Sequence, residues 1–308
     1  MRIAIMGSGG VGGYFGARLA ANGEDVTFIA RGAHLDALRT QGLVIESGQG
    51  NVTLPSVAAT DDPAAIGSAD LVIVGVKLWD TEAAARAILP LVQNGASVVS
   101  FQNGVRKDDI LRDIVGPKAL LGGVTYIAAS IARPGVIRHV GTMQKLVFGE
   151  FDGAASKRTQ AFLDACLGAG IDAQLSPDIG RATWEKFVFL AGLSGATTAM
   201  RSSIGPIRKN PRARAFLLGL MQEVVAVGRA SGVALAEDFA EDRLAFCDTL
   251  PEQMTSSMHG DLDRGSKLEL PFLGGSVVEL GARLGVPTPL NRAVEDILAL
   301  YQGGHDAR

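Results

Sequence analysis

The chain has 308 residues, of which 47% are hydrophobic and 20% charged, a balance that describes a soluble globular protein long enough for two domains, each burying its own core. A formal net charge of −3 gives no field that would recruit nucleic acid or an anionic membrane. Two cysteines, Cys166 and Cys247, are too few and too far apart for a disulfide framework or a metal motif, and no apolar run approaches a membrane span, so a cytoplasmic protein with no bound metal is expected.

The first element is a short apolar strand over Arg2 to Met6 that runs straight into Gly7-Ser8-Gly9-Gly10-Val11-Gly12. This is G-x-G-x-x-G between a strand and an amphipathic run from Val11 to Ala21, the context in which the motif binds a dinucleotide. Gly7 lets the chain leave the strand in a tight turn, Gly9 lets backbone approach a pyrophosphate, and Gly12 lets the helix pack against the sheet. The helix then offers its first N–H groups to the phosphates. Gly23 closes that helix and Asp25 to Arg31 reads as the second strand. An NAD site would carry a carboxylate at its end. Here the strand ends in Ala30 and Arg31, and an arginine fork can hold a 2′-phosphate, so NADPH is expected over NADH; the alternative is a solvated surface arginine.

A helix is predicted over His34 to Gln41 and strands over Leu43 to Glu46 and Val52 to Ala58. Asp70 to Val76 is a continuous apolar run, as in a parallel strand buried on both faces, and it ends at Lys77. Thr81 to Val92 fits one crossover helix. Ala96 to Phe101 fits another buried strand, ending at Gln102-Asn103-Gly104. Ligands of open parallel sheets bind outside the carboxyl ends of the strands, which puts Lys77 and Asn103 where a nicotinamide and its substrate belong. Asn103 before a glycine is equally compatible with simple turn chemistry. Further strands are predicted over 120–129, 136–140 and 146–149, and a helix over 157–168. After Ser176-Pro177-Asp178 the texture becomes helical almost throughout, with breaks at Gly205-Pro206, Pro211, Gly232, Pro251, Pro271 and Gly285. The expected domains are therefore 1–177, a Rossmann-type doubly wound α/β sheet, and 178–308, all-helical.

Within the second domain Lys186, Leu190, Ser194 and Thr197 recur at helical spacing and share one face. A lysine in such apolar company either snorkels to solvent or is held in a cleft. Glu269, between two leucines before Pro271, is either desolvated for a purpose or only at a helix end.

Gly7 to Gly12, Arg31, Val76-Lys77, Gln102-Asn103-Gly104, Trp184-Glu185-Lys186, Ser256-Ser257-Met258 with Asp261, Glu269, and Gly285-Val-Pro-Thr-Pro-Leu-Asn291 occur in an order and spacing that resembles the ketopantoate reductase (2-dehydropantoate 2-reductase) family over essentially the whole chain. The resemblance implies a Rossmann domain joined to a helical domain like that of 6-phosphogluconate dehydrogenase. It also implies NADPH-dependent reduction of a 2-oxo acid, most simply ketopantoate in pantothenate biosynthesis. Lys186 matches the family's proton donor and Glu269 the glutamate that contacts substrate and cofactor and helps orient that lysine. Ser257 matches a serine that binds the substrate carboxylate, and Ser194, Asp261 and Asn103 fall in the substrate set. Lys77, Asn103 and Ala129 join Gly7, Ser8, Gly9, Gly10, Val11, Gly12 and Arg31 in the cofactor set. By analogy with other helical C-terminal domains, a homodimer is plausible. The chain departs from the family pattern at Leu190, Ser194 and Ile204, where asparagines are expected. A site built to pair polar groups discriminates strongly, so a less polar 2-oxo acid is the rival substrate, and a regulatory protein that binds NADPH without turnover is the rival class.

Overall fold

The computed structural model describes residues 1–304 and divides into two compact units, Met1–Asn103 with Lys107–Ile179, and Gly104–Arg106 with the chain from Gly180 onward.

The first unit is α/β. In chain order it comprises β1 (Arg2–Met6), α1 (Gly10–Ala21), β2 (Asp25–Ile29), α2 (Gly32–Gln41), β3 (Leu43–Ser47), β4 (Val52–Leu54), β5 (Ala58–Thr60), β6 (Leu71–Val74), α3 (Thr81–Ala87), α4 (Leu89–Gln93), β7 (Ser97–Ser100), α5 (Lys107–Val115), β8 (Leu120–Arg133), β9 (Val136–Gly149), α6 (Lys157–Gly168) and β10 (Asp172–Leu175). The strands join in the order β4-β3-β9-β8-β7-β6-β1-β2-β5, with β10 also on β9. From β5 through β1 to the start of β8 every pairing is parallel, and β8 turns antiparallel into β9. Both faces of the parallel part are covered. Ile3 and Ile5 of β1 enter one core with Phe101, Phe148 and Phe162, while Ala4 and Met6 enter another with Val72, Val74 and Val98. This is why the strands read as unbroken apolar runs. Because β2 leaves β1 on one side and β6 lies on the other, the carboxyl ends of β1 and β6 flank the topological switch point.

Four local expectations change. The single helix over Thr81 to Val92 is two, parted at Ile88, because Pro90 lacks the N–H an interior position needs and sits instead in the first turn of α4. The strands expected at 136–140 and 146–149 are the two ends of one fourteen-residue strand, β9, both paired with β8 on either side of a register shift between Ile127 and Ala129. The strand expected over Val52 to Ala58 is two, β4 on β3 and β5 on β2, parted at Pro55 and Ser56. β10 is an addition, since four residues alternating Asp172, Ala173, Gln174 and Leu175 carry too weak a pattern to predict a strand.

The second unit, among the described residues, is helical: α7 (Ile179–Met200), α8 (Ile204–Lys209), α9 (Pro211–Ala230), α10 (Phe239–Asp248), α11 (Ser257–Asp263), α12 (Gly274–Leu284) and α13 (Pro289–Leu298). Gly205 and Pro206 do not break the chain as expected but lie in the first turn of α8, where proline is tolerated. α7 is the central helix, wholly buried from Ala191 to Thr198. Its side chains meet α9 closely: a Cβ on Gly192 would lie 2.5 Å from Met221 Cγ. The α9 carboxylate Glu223 accepts from the N–H groups of Leu290 and Asn291 at 2.7 and 2.9 Å and so caps α13. No described helix is long and apolar enough to cross a membrane.

Candidate active site

In the first unit the site begins at the turn after β1. Gly7 has φ +97°, a conformation open to glycine, and its N–H and that of Ser8 both donate to the carbonyl of Ile29, tying the turn to the end of β2. Ser8 is buried and its hydroxyl donates to the same carbonyl at 3.0 Å. Gly9 begins α1 without any side-chain cap, and an added Cβ there would meet no protein atom within 4 Å. The turn is thus open at Gly9, with the helix N–H groups of Gly10, Val11 and Gly12 behind it, which suits a pyrophosphate. Gly10 and Gly12 are closed by contrast. A Cβ on Gly12 would fall 2.3 Å from the Gly7 carbonyl oxygen, and one on Gly10 would fall 2.1 Å from that of Ala129, just where β8 carries a bulge between Ile127 and Ala129.

The strand ends beside the turn carry the other cofactor candidates. Arg31 follows β2, is exposed, and is the first-turn flank of α2. Lys77 follows β6 and is exposed, with Nζ 5.6 Å from the Trp79 ring centroid. The Lys77 loop touches the glycine turn directly, since a Cβ on Gly7 would lie 2.6 Å from the Val76 nitrogen. Asn103, half-buried, follows Gln102 at the end of β7, and Gly104 beyond it has φ +80°. The first unit therefore brings together the glycine turn, Ala129 and the Lys77 loop.

Three residues with no sequence-based role support this cluster. His34 Nε2 donates to the Ser8 carbonyl at 2.9 Å, and the Gly135 N–H donates to its Nδ1 at 3.1 Å. A backbone donor at Nδ1 requires that nitrogen bare, so this ring is neutral and its tautomer fixed. Burial accordingly holds the His34 pKa below its ordinary value, against the opposing pull of the Ser8 carbonyl. Gln102 and Thr81, both buried, join the loops after β6 and β7. The signal for Gln102 in the sequence is a polar residue at the end of an apolar strand, and its partner Thr81, at the start of α3, is invisible without coordinates.

In the second unit Lys186 and Leu190 are half-buried on α7 while Ser194 and Thr197 are fully buried. Thr197 Oγ1 donates to the Leu193 carbonyl at 2.7 Å and lies 3.1 Å from Ser256 Oγ, which in turn accepts from the His259 N–H. The shared face of α7 therefore meets the start of α11. It is Ser256, rather than Ser257, that faces α7; Ser257 is exposed in the first turn of α11. Asp261 is buried and accepts from Arg264 at 2.7 Å. Glu269 is 8% exposed and begins the short turn Leu270–Phe272. Ser194 Oγ is buried without a hydrogen-bond partner. Cys166 and Cys247 are buried, and burial pushes both thiols up to about 12, which leaves them packing residues. Among the described residues no group of three or more His, Cys, Asp or Glu is placed to hold a metal ion.

This arrangement has close counterparts. Residues 3–153 match the family model described as ketopantoate reductase PanE/ApbA, and residues 178–302 match that of its C-terminal domain. The chain belongs to the ketopantoate reductase family. A 2-dehydropantoate 2-reductase of Halobacterium salinarum is 33% identical over 98% of this chain and 99% of its own. An uncharacterized oxidoreductase of Bacillus subtilis, YkpB, is 30% identical over 98% and 99%. The crystal structure of a 2-dehydropantoate 2-reductase from Geobacter metallireducens superposes with a TM-score of 0.90 at 32% identity, covering 97% of this chain and 99% of that one. The chain is thus an oxidoreductase of the ketopantoate reductase type, and the reaction class of that family is reduction of a 2-oxo acid to a 2-hydroxy acid.

Proposed function

We propose that the protein uses NADPH to reduce a 2-oxo acid, with ketopantoate as the leading substrate and Lys186 as proton donor. The observation that carries the cofactor half is the contact at the switch point, where the glycine turn, the bulged Ala129 and the Lys77 loop meet within van der Waals reach. When bound there, NADPH supplies a hydride. Gly7 to Gly12 bind its pyrophosphate on the N-terminus of α1, Arg31 pairs with its 2′-phosphate, and Lys77 and Asn103 line the nicotinamide end.

The second domain, proposed as 178–308 against a cofactor domain of 1–177, supplies the proton. Lys186 is half-buried on α7, so its ammonium is partly shielded from water while remaining able to face a developing alkoxide, to which it donates a proton and whose charge it stabilises. Glu269, a buried carboxylate, orients that ammonium and holds the substrate. Of the polar residues of this unit assigned to substrate, Ser257 is exposed while Ser194 and Asp261 are buried, so carboxylate binding falls first to Ser257.

A second substrate reading has its own observation. Leu190 stands one turn from Lys186 on the same face and is half-buried, which favours a 2-oxo acid with a less hydroxylated, bulkier side chain. The reaction itself is tested by following NADPH absorbance and 2-hydroxy acid formation together. One 2-hydroxy acid per NADPH consumed supports the proposal; tight NADPH binding with no turnover of any 2-oxo acid would make the protein a cofactor-binding regulator instead.

A further inference from the structure

The amide of Gln102 is buried, 7% exposed, at the end of β7 and immediately before Asn103. Each of its hydrogen-bonding groups is used. Nε2 donates to the Val76 carbonyl at 2.9 Å and to Thr81 Oγ1 at 2.8 Å, and Oε1 accepts from Ser100 Oγ at 2.9 Å. Thr81, fully buried at the start of α3, donates its own hydroxyl hydrogen bond to the Leu78 carbonyl at 2.7 Å. The carbonyl before Lys77 and the carbonyl after it therefore converge, directly and through one hydroxyl, on a single side chain next to Asn103. Val76, held at its carbonyl, also lies against the glycine turn through its nitrogen and side chain, 2.6 and 2.7 Å from where a Cβ on Gly7 would stand.

We propose that Gln102, with Thr81, is a positioning residue that fixes Lys77 and Asn103 at the nicotinamide end of the cofactor site; the proposal rests on the reading given above of those two residues. A methionine or leucine would fill the same space, but only an amide of this length offers two donors to the β6 loop and an acceptor to Ser100 at once. A glutamate would turn a lone pair toward the Val76 carbonyl. Buried networks of this kind rigidify what they hold when every member is satisfied, and a displacement of about 1 Å at a reacting centre costs up to about a hundred-fold in rate.

The test compares the full-length wild type with Thr81→Val, Thr81→Ser, Gln102→Met and the Thr81→Val/Gln102→Met double variant. Circular dichroism and Tm report folding, NADPH fluorescence gives cofactor affinity and the emission of the bound nicotinamide, and steady-state assays give kcat and KM. We expect Thr81→Val and Gln102→Met to bind NADPH within about threefold of wild type, with altered emission of the bound nicotinamide. We expect kcat lower by about ten- to a hundred-fold. Thr81→Ser should restore both readouts, and the double variant should lose little more than the worse single one. Unchanged kcat and emission in folded Thr81→Val would overturn the proposal, as would a Thr81→Ser variant as impaired as Thr81→Val. Wild type that binds NADPH but turns over no 2-oxo acid refutes the proposed reaction alone, because the emission of the bound nicotinamide still judges Gln102. Wild type that does not bind NADPH overturns both.

Discussion

His34 Nε2 holds the carbonyl of Ser8 at 2.9 Å while its Nδ1 accepts the Gly135 N–H, so one neutral imidazole braces the glycine turn against the hairpin of β8 and β9. Burial keeps this ring below the ordinary histidine value of 6.5. Above that value the ring is neutral folded and unfolded alike, and its contribution is fully present. As pH falls below it, the unfolded chain takes up the proton first, so the contribution is lost as pH drops through the folded-state pKa. The Tm advantage of wild type over His34→Gln should therefore shrink as pH falls below 6.5. Parallel Tm curves across that range would remove His34 from the account.

Gly9 and Gly10 are neighbours with opposite surroundings, and their alanine variants should separate. Gly9→Ala places a methyl where no protein atom lies within 4 Å, so its Tm should match wild type while the KM for NADPH rises. Gly10→Ala drives a methyl against the Ala129 carbonyl and should lower Tm as well, by the strain of moving a strand or a helix start. Thermal unfolding and NADPH titration of both variants check this, and a Gly9→Ala variant with unaltered NADPH affinity would contradict the pyrophosphate assignment.

Arg31 stands exposed at the end of β2. If it pairs with the 2′-phosphate, Arg31→Ala should raise the KM for NADPH by about ten-fold or more, the scale of a charge-assisted pair, and leave NADH nearly unchanged. Equal losses with both cofactors would assign Arg31 to the fold rather than to cofactor choice.

Lys186→Ala should lower kcat by about a hundred-fold to ten-thousand-fold, the range of a lost general acid, with NADPH affinity retained. Steady-state kinetics with saturating NADPH decide it. An unchanged kcat would leave Lys186 as a lysine whose stem merely lies along an apolar face.

Much of this molecule was legible in its residues because the signals were local. The β1 strand, its glycine turn and α1 follow from one contiguous stretch, and the buried strands β6 and β7 announce themselves as apolar runs. The change to helices at Ile179 follows from texture alone. What escaped was set by partners distant in sequence. His34 finds Gly135 a hundred residues away, Gln102 finds Val76 at the end of the neighbouring strand, and the two halves of β9 each pair with β8 on either side of a register shift. Ser256 and Ser257 show the same limit within one motif: the Ser-Ser-Met sequence marks the region, but only the start of α11 decides which hydroxyl meets α7.

The most direct test is kcat/KM with NADPH for ketopantoate, 2-oxoisovalerate and a bulky apolar 2-oxo acid, measured side by side on the wild-type protein. The account predicts NADPH-dependent turnover of at least one of them, with ketopantoate leading. Preference for the apolar acids would give the decisive role to Leu190. Absence of NADPH-dependent turnover on all three would contradict the central claim.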